Sequence, residues 1–207
     1  MSTPLAGLGL DIPVIAAPMA GGASTPALVI AAARAGGLGF LAAGYKAPQA
    51  LAGQISEVRS AGVPFAVNVF APNPVPADPA AYRRYARALR PEAERYGLDL
   101  PGDPAEDDDH WADKVALLIA DPVPLVSFTF GFPEPRVVAA LRRAGSVVAL
   151  TVTSAQEARA ATEAGADLLV VQASAAGAHS GTLTPQRLPP PVQLTTLIAQ
   201  VRAETSV

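Results

Sequence analysis

Four times along the chain an alanine–glycine pair closes a helical stretch and an unbroken apolar run follows. The pairs are Ala35-Gly36, Ala61-Gly62, Ala144-Gly145 and Ala164-Gly165, and the runs are LGFLAAG (38–44), FAVNVF (65–70), VVALTV (147–152) and DLLVVQA (167–173). Glycine just past a helix adopts the left-handed conformation that ends it without a Cβ clash. The runs are continuous rather than alternating, as parallel strands covered on both faces require. VIAAP (14–18) and LVSFTFG (125–131) bring the strand candidates to six.

Helix signals lie between them. Ser24-Thr25-Pro26 reads as a cap followed by proline in the first turn of a helix ending near Arg34. Ser154 with Glu157 three residues on predicts a capping box for a helix running to about Ala164. Leu194, Leu197, Ile198 and Val201 follow helical spacing. The stretch from Pro26 to Gly44 is apolar enough to invite a membrane reading, but Arg34, Gly36 and Gly37 interrupt it. A helix, a glycine stop and a strand account for it better.

Alternating strands and helices predict an α/β fold. Residues 71–124 break the rhythm with a proline-rich start, an Arg/Tyr-rich helix at about 80–96, and an acidic stretch leading into a second helix. They are expected to be an insertion within a single domain spanning 1–207. A (β/α)8 barrel needs eight units and typically about 250 residues. The pattern therefore leaves two architectures open: a doubly wound open sheet, or a barrel represented by about six βα units and lacking the last two.

The 207 residues are half hydrophobic and only 16% charged, and the mean hydropathy of +0.30 argues against disorder. A net charge of −3 carries no electrostatic footprint for nucleic acid. The absence of cysteine excludes disulfides, thiolate catalysis and iron–sulfur clusters; it is compatible with a cytoplasmic setting. The N-terminus lacks a basic leader region, so no signal peptide is expected.

In parallel α/β folds ligands bind at the carboxyl ends of the strands. Here those ends carry Pro18-Met19-Ala20-Gly21-Gly22, Gly44-Tyr45-Lys46, Asn68 to Ala71, Thr129-Phe130-Gly131, Thr151 to Thr153, and Gln172 to Gly181. The set has little charge, several glycines and two amides, which suits a flat, mostly neutral ligand. His179 stands in a small-residue loop after the sixth strand candidate; it is either a general base or electrostatic anchor, or simply an exposed loop histidine. Asn68 and Gln172 either bond neighbouring backbone or meet a ligand.

His110 follows Glu106-Asp107-Asp108-Asp109, which reads as the negatively charged entrance to a helix rather than a metal site. No metal is expected. Glycine-rich dinucleotide and triphosphate motifs are absent. The only lysines, Lys46 and Lys114, lie outside the apolar strands, which does not support a Schiff-base role.

Residues PVIAAPMAGGASTPALVIAAARAGGLGFLAAGY (13–45) resemble the N-terminal signature of the nitronate monooxygenases, formerly 2-nitropropane dioxygenases. The likeness continues in order through FAVNVF (65–70), LVSFTFGFP (125–133) and VVQASAAGAHSG (170–181). The resemblance implies an FMN-dependent (β/α)8 barrel of the TIM type. It implies a small-molecule substrate, an alkyl nitronate or nitroalkane, and O2, giving a carbonyl compound and nitrite. By the same resemblance Pro18 and Met19 would lie against the flavin ring, Asn68, Gln172 and Gly177 would contact FMN, and His179 would be the active-site histidine.

Two departures stand out. Where the family reads Glu-Ala-Gly-Gly-His, this chain reads Ala175-Ala176-Gly177-Ala178-His179. If the replaced glycine needed a positive φ, Ala178 strains the loop by about 1 kcal/mol or more. The family also continues with two further strands whose loops hold the FMN phosphate, so this chain alone is expected to bind FMN poorly. Two alternatives remain: an FMN-dependent enoyl-thioester reductase sharing the Pro-Met-Ala-Gly and GGLG motifs, and a truncated non-catalytic homologue. The oligomeric state is left open, with a homo-oligomer allowed.

Overall fold

The computed structural model describes residues 7–72, 75–187 and 190–207. Six strands, β1 (Ile15–Ala16), β2 (Leu38–Ala42), β3 (Phe65–Phe70), β4 (Leu125–Thr129), β5 (Val147–Val152) and β6 (Leu168–Val171), form one sheet in the order β1-β2-β3-β4-β5-β6. Every neighbouring pair is parallel. This order decides the architecture. A doubly wound sheet reverses its strand order at a switch point, whereas right-handed crossovers repeated in one direction put every helix on the same side. The six units accordingly form a curled half-barrel of the TIM type.

The helices are α1 (Pro26–Arg34), α2 (Pro48–Ser60), α3 (Pro79–Arg95), α4 (Trp111–Ala120), α5 (Pro135–Ala144), α6 (Ala155–Glu163) and α7 (Leu194–Glu204). The apolar stretch from Pro26 to Gly44 divides into α1 and β2, and no helix among the described residues is long and apolar enough to cross a membrane. Thr25 Oγ1 accepts the Leu28 N–H at the start of α1. The glycines of the four Ala-Gly pairs all have positive φ, from +67° at Gly62 to +104° at Gly145, so each helix stops where its glycine permits. Within residues 71–124, α4 takes the place of a crossover helix, packing beside α2 and α5. The added helix is α3, whose N-terminus is capped by the Asp78 carboxylate.

Strands β2 to β6 each face two cores. Leu41, Val67, Val126, Phe128, Val148 and Leu150 face outward and pack with helix residues such as Ile55, Leu118 and Leu141. The alternate positions Leu38, Phe40, Ala66, Leu125 and Ala149 form a smaller cluster on the inner face. Register continues that face upward as a row: Ala42 pairs with Asn68, Asn68 with Ser127, Ser127 with Ala149, and Ala149 with Leu168. In the next row Phe70 pairs with Thr129 and Thr151 with Val170. The interior is thus apolar towards the amino ends of the strands and polar towards the carboxyl ends. On the two outer strands, inward-facing Ile15 and Val170 are 42% and 44% exposed.

Candidate functional site

The polar upper part of the interior is a hydrogen-bonded cluster. Asn68, only 4% exposed, donates from its amide nitrogen to Ser127 Oγ at 2.9 Å and Thr129 Oγ1 at 3.0 Å. Thr129 Oγ1 and Thr151 Oγ1 lie 3.4 Å apart. A buried amide within an apolar strand is tolerable because the neighbouring strand β4 presents two hydroxyls within its reach. Ser127 is a site residue that sequence reasoning passed over, and Thr129 and Thr151 enter it only as strand-end residues without an assigned role. Their signal was a hydroxyl in an otherwise apolar strand, level with Asn68 for Ser127 and one row further on for Thr129 and Thr151.

Beyond this cluster, among the loops that follow the strands, is a cavity of about 570 Å³ lined by Tyr45, Phe70, Phe130, Asp107, Asp109 and His179, among others. An aromatic series crosses it. Tyr45 meets Phe70 edge-on at 5.5 Å, Phe70 meets Phe130 at 4.8 Å, and Phe130 meets the His179 ring edge-on at 6.3 Å. Each comes from the carboxyl end of a different strand, so only the curl of the sheet assembles them. His179 is exposed at the mouth.

A second cavity, of about 390 Å³, is lined by Gln172, Gly177, Ala178, Ser180, Thr153 and Leu197, among others. The loop 177–180 forms the wall between the two cavities, with Ser180 facing both. Gln172 spends both ends of its amide on this loop: Nε2 donates to the His179 carbonyl at 3.0 Å and Oε1 accepts the Gly181 N–H at 2.6 Å. Pro18 and Met19 lie at the carboxyl end of β1 but line neither cavity. Their turn is held by Ser24, whose Oγ accepts the Met19 N–H at 2.8 Å and whose N–H donates to the Met19 carbonyl. Met19 is 47% exposed.

The non-glycine residues at positive φ among those described are Tyr45, Asp109, His110, Phe130 and Ala178. Tyr45, Asp109 and Phe130 line the aromatic cavity, and His110 and Ala178 are each next in sequence to a lining residue. Sparsely populated backbone conformations persist only where the surroundings over-determine them, and they cluster at functional sites. Ala178 has φ +57°, the left-handed value at which a glycine would be unstrained.

The acidic run before α4 does more than face a helix start. The Asp107 and Asp108 carboxylates accept the Asp109 and His110 N–H groups. Asp109 Oδ1 accepts the Tyr45 N–H at 3.0 Å and lies 2.7 Å from Lys114 Nζ. Lys114 is wholly buried. Its ammonium sits off the hydrogen-bond direction, so this is a charge contact, and Asp109 Oδ2 is buried without a donor. Nearby Lys46 donates to Gln54 Oε1 at 2.8 Å; burial, and then the Lys114 charge, hold its ammonium below the ordinary lysine range.

The capping box at α6 is half realised. Ser154 Oγ accepts the Glu157 N–H, but the Glu157 carboxylate turns elsewhere. It accepts from Thr153 N and Oγ1, and from Thr182 Oγ1 and Leu183 N. It therefore ties the end of the His179 loop to the end of β5.

The family model for nitronate monooxygenase matches residues 3–207. A nitronate monooxygenase from Paraburkholderia phytofirmans is 37% identical over 190 residues, 86% of this chain and 50% of that protein. The crystal structure of a nitroalkane oxidase from Streptomyces ansochromogenes superposes with a TM-score of 0.88 at 42% identity, covering 99% of this chain and 59% of the other. FabK from Thermotoga maritima superposes at 0.69 with 26% identity, covering all of this chain and 52% of the other. The chain thus spans about half the length of the relatives it matches. With the sequential parallel strands and the histidine loop at their carboxyl ends, the match over nearly the whole chain shows that it belongs to the nitronate monooxygenase family.

Proposed function

We propose that this chain carries the flavin-ring floor and the substrate cavity of an FMN-dependent nitronate monooxygenase. Its reaction would be oxidative denitrification of an alkyl nitronate or nitroalkane with O2, giving a carbonyl compound and nitrite. The observation that carries this reading is the seat of His179, edge-on to Phe130 at the mouth of a cavity that joins Tyr45, Phe70 and Phe130 to Asp107, Asp108 and Asp109. A small apolar molecule with one polar head fits such a cavity.

The residues present fit a flavin ring. The Asn68 cluster offers amide and hydroxyl groups without charge, and the Pro18-Met19 turn after β1 is held by Ser24. Asn68, whose amide nitrogen is engaged by Ser127 and Thr129, would meet the ring through its oxygen; Gln172 and Gly177 would border it. No lysine or arginine lines either cavity among the described residues, so the proposal covers the ring and not the phosphate. FMN, when bound, supplies the electron acceptor for the substrate and the site of O2 chemistry.

His179 has the chemistry for two tasks. Its unprotonated ring nitrogen takes the α-proton of a neutral nitroalkane, and its protonated form holds an anionic nitronate. Phe70 and Phe130 give the reacting carbon an apolar contact surface. A cytoplasmic setting and the absence of a nucleic-acid partner belong to the same reading, the latter supported by the net charge of −3.

The enoyl-thioester reductase alternative is the weaker, since the FabK likeness is lower in both identity and superposition than the nitroalkane oxidase likeness. The test is anaerobic mixing of protein at saturating FMN with propyl-2-nitronate or with NADPH. Flavin bleaching by nitronate and not by NADPH is the expected result. Bleaching by NADPH alone would favour the reductase, and failure to take up flavin at any concentration would favour a non-catalytic homologue.

A further inference from the structure

The loop that carries His179 is shaped by a side chain outside it. Gln172, the residue after β6, bridges both ends of the segment His179-Ser180-Gly181, donating to the carbonyl of the first and accepting the N–H of the last. These are the two bonds that a neighbouring strand would supply, delivered by one amide. The fit is close: a Cβ added at Gly181 would lie 2.9 Å from Thr151 Cγ2 and 3.3 Å from Gln172 Oε1. The loop also contains Ala178 at φ +57°, a conformation that an unconstrained alanine would leave. Beyond Gly181, Glu157 pins Thr182 and Leu183. His179 itself makes an edge-on contact with Phe130.

We propose that Gln172 is a positioning residue for His179, holding the histidine's backbone so that its ring stands against Phe130. This rests on the reading of His179 as the site histidine, and it departs from the expectation that Gln172 serves chiefly as an FMN contact. One N–H and one lone pair of the amide remain for a ligand; the other two are committed to the loop.

The sequence contains only two histidines, His110 and His179, so ¹³C-histidine NMR reads the position of His179 directly, assigned through His179→Asn. Phe130→Leu calibrates the ring-current shift that the edge-on contact produces. Gln172→Leu should move the His179 signal to the position seen in Phe130→Leu, leave His110 in place, and speed exchange of the Gly181 amide about tenfold, the loss of one ordinary hydrogen bond. Gln172→Glu keeps the acceptor for Gly181 but cannot donate to His179, so it should move the His179 signal while Gly181 stays protected. This second variant carries the test if the first does not fold.

FMN affinity is measured alongside. Because the remaining N–H and lone pair of the amide border the ring, some fall is expected in both variants, and it must come together with movement of the His179 signal. An unmoved His179 signal with a protected Gly181 amide in both variants would overturn the proposal. So would a tenfold or larger fall in FMN affinity with the signal unmoved, which would make Gln172 a flavin ligand. If the signal moves as expected while His179→Asn leaves turnover unchanged, the positioning stands and the assignment of His179 as base fails.

Discussion

Asp109 and Lys114 form a charge contact of 2.7 Å in which the lysine is wholly buried, and the same carboxylate oxygen accepts the backbone N–H of Tyr45. The pair therefore fastens the segment before α4 to the turn after β2, and with it sets where Tyr45 stands. Removing one partner of a buried ion pair leaves an uncompensated charge, at a cost of about 3–5 kcal/mol. Asp109→Asn should lower the urea-unfolding free energy by an amount towards the low end of that range, since Asp109 is 16% exposed. Asp109→Asn combined with Lys114→Met should recover much of the loss. A single variant as stable as the parent would show that the pair bears no structural weight.

His179→Asn should reduce turnover of a neutral nitroalkane in the FMN-loaded protein by about 10²–10⁴-fold, the usual worth of a positioned base. Much of the activity on preformed nitronate should survive, because no α-proton remains to be taken. Steady-state assays with both substrates check this; equal activities of variant and parent on both would remove His179 from the mechanism.

Asn68→Leu removes the donor shared by Ser127 and Thr129. Leaving buried hydrogen-bonding groups without partners costs about 1–3 kcal/mol, so the apo-protein's melting temperature should fall. Flavin affinity should fall further, because the amide oxygen goes too. Ser127→Ala separates the two effects: it should cost stability and leave flavin affinity near the parent's. A flavin titration of both variants decides it, and unchanged affinity in Asn68→Leu would give that residue a purely structural role.

Ala178→Gly should stabilise the protein by about 1 kcal/mol, since alanine at φ +57° carries a left-handed penalty that glycine does not. The urea midpoint should rise. An unchanged or lower midpoint would mean that the entropy glycine gains in the unfolded chain outweighs the relief of strain.

Lys46 gives the alkaline limb of stability a sign. Its folded-state pKa lies below the ordinary lysine value of 10.5, first from burial and then from the Lys114 charge. Between the lowered value and 10.5 the unfolded chain holds more protons, so this group's contribution rises with pH across that window and is lost as pH falls through the folded value. Lys46→Gln should flatten that limb. Unfolding curves of parent and variant taken at successive alkaline pH values test it, and parallel pH profiles would remove Lys46 from the effect.

Local physics wrote much of the fold into the chain. The four Ala-Gly stops, the threonine cap at α1 and the continuous apolar runs follow from backbone sterics and two-sided burial, which neighbouring residues set among themselves. The motifs around Pro18, Gln172 and His179 were legible because they stand at or beyond the ends of apolar runs, where parallel folds present their ligand-binding groups, and Asn68 because it is an amide inside such a run. What such patterns cannot carry is direction. An apolar run covered on both faces reads alike in a barrel and in a doubly wound sheet, and only the order β1 to β6 separates them. The same holds for contacts made across the chain. Asn68 meets Ser127 from 59 residues away and Tyr45 meets Asp109 from 64. Glu157 reads as a capping residue until Thr182 and Leu183 arrive. Lys114 reads only as a lysine outside the apolar strands until the structure sets it against Asp109. Hydrogen bonds and charge pairs at that separation depend on the curl that brings strand ends together, and the curl belongs to the packed sheet, not to any one of its segments.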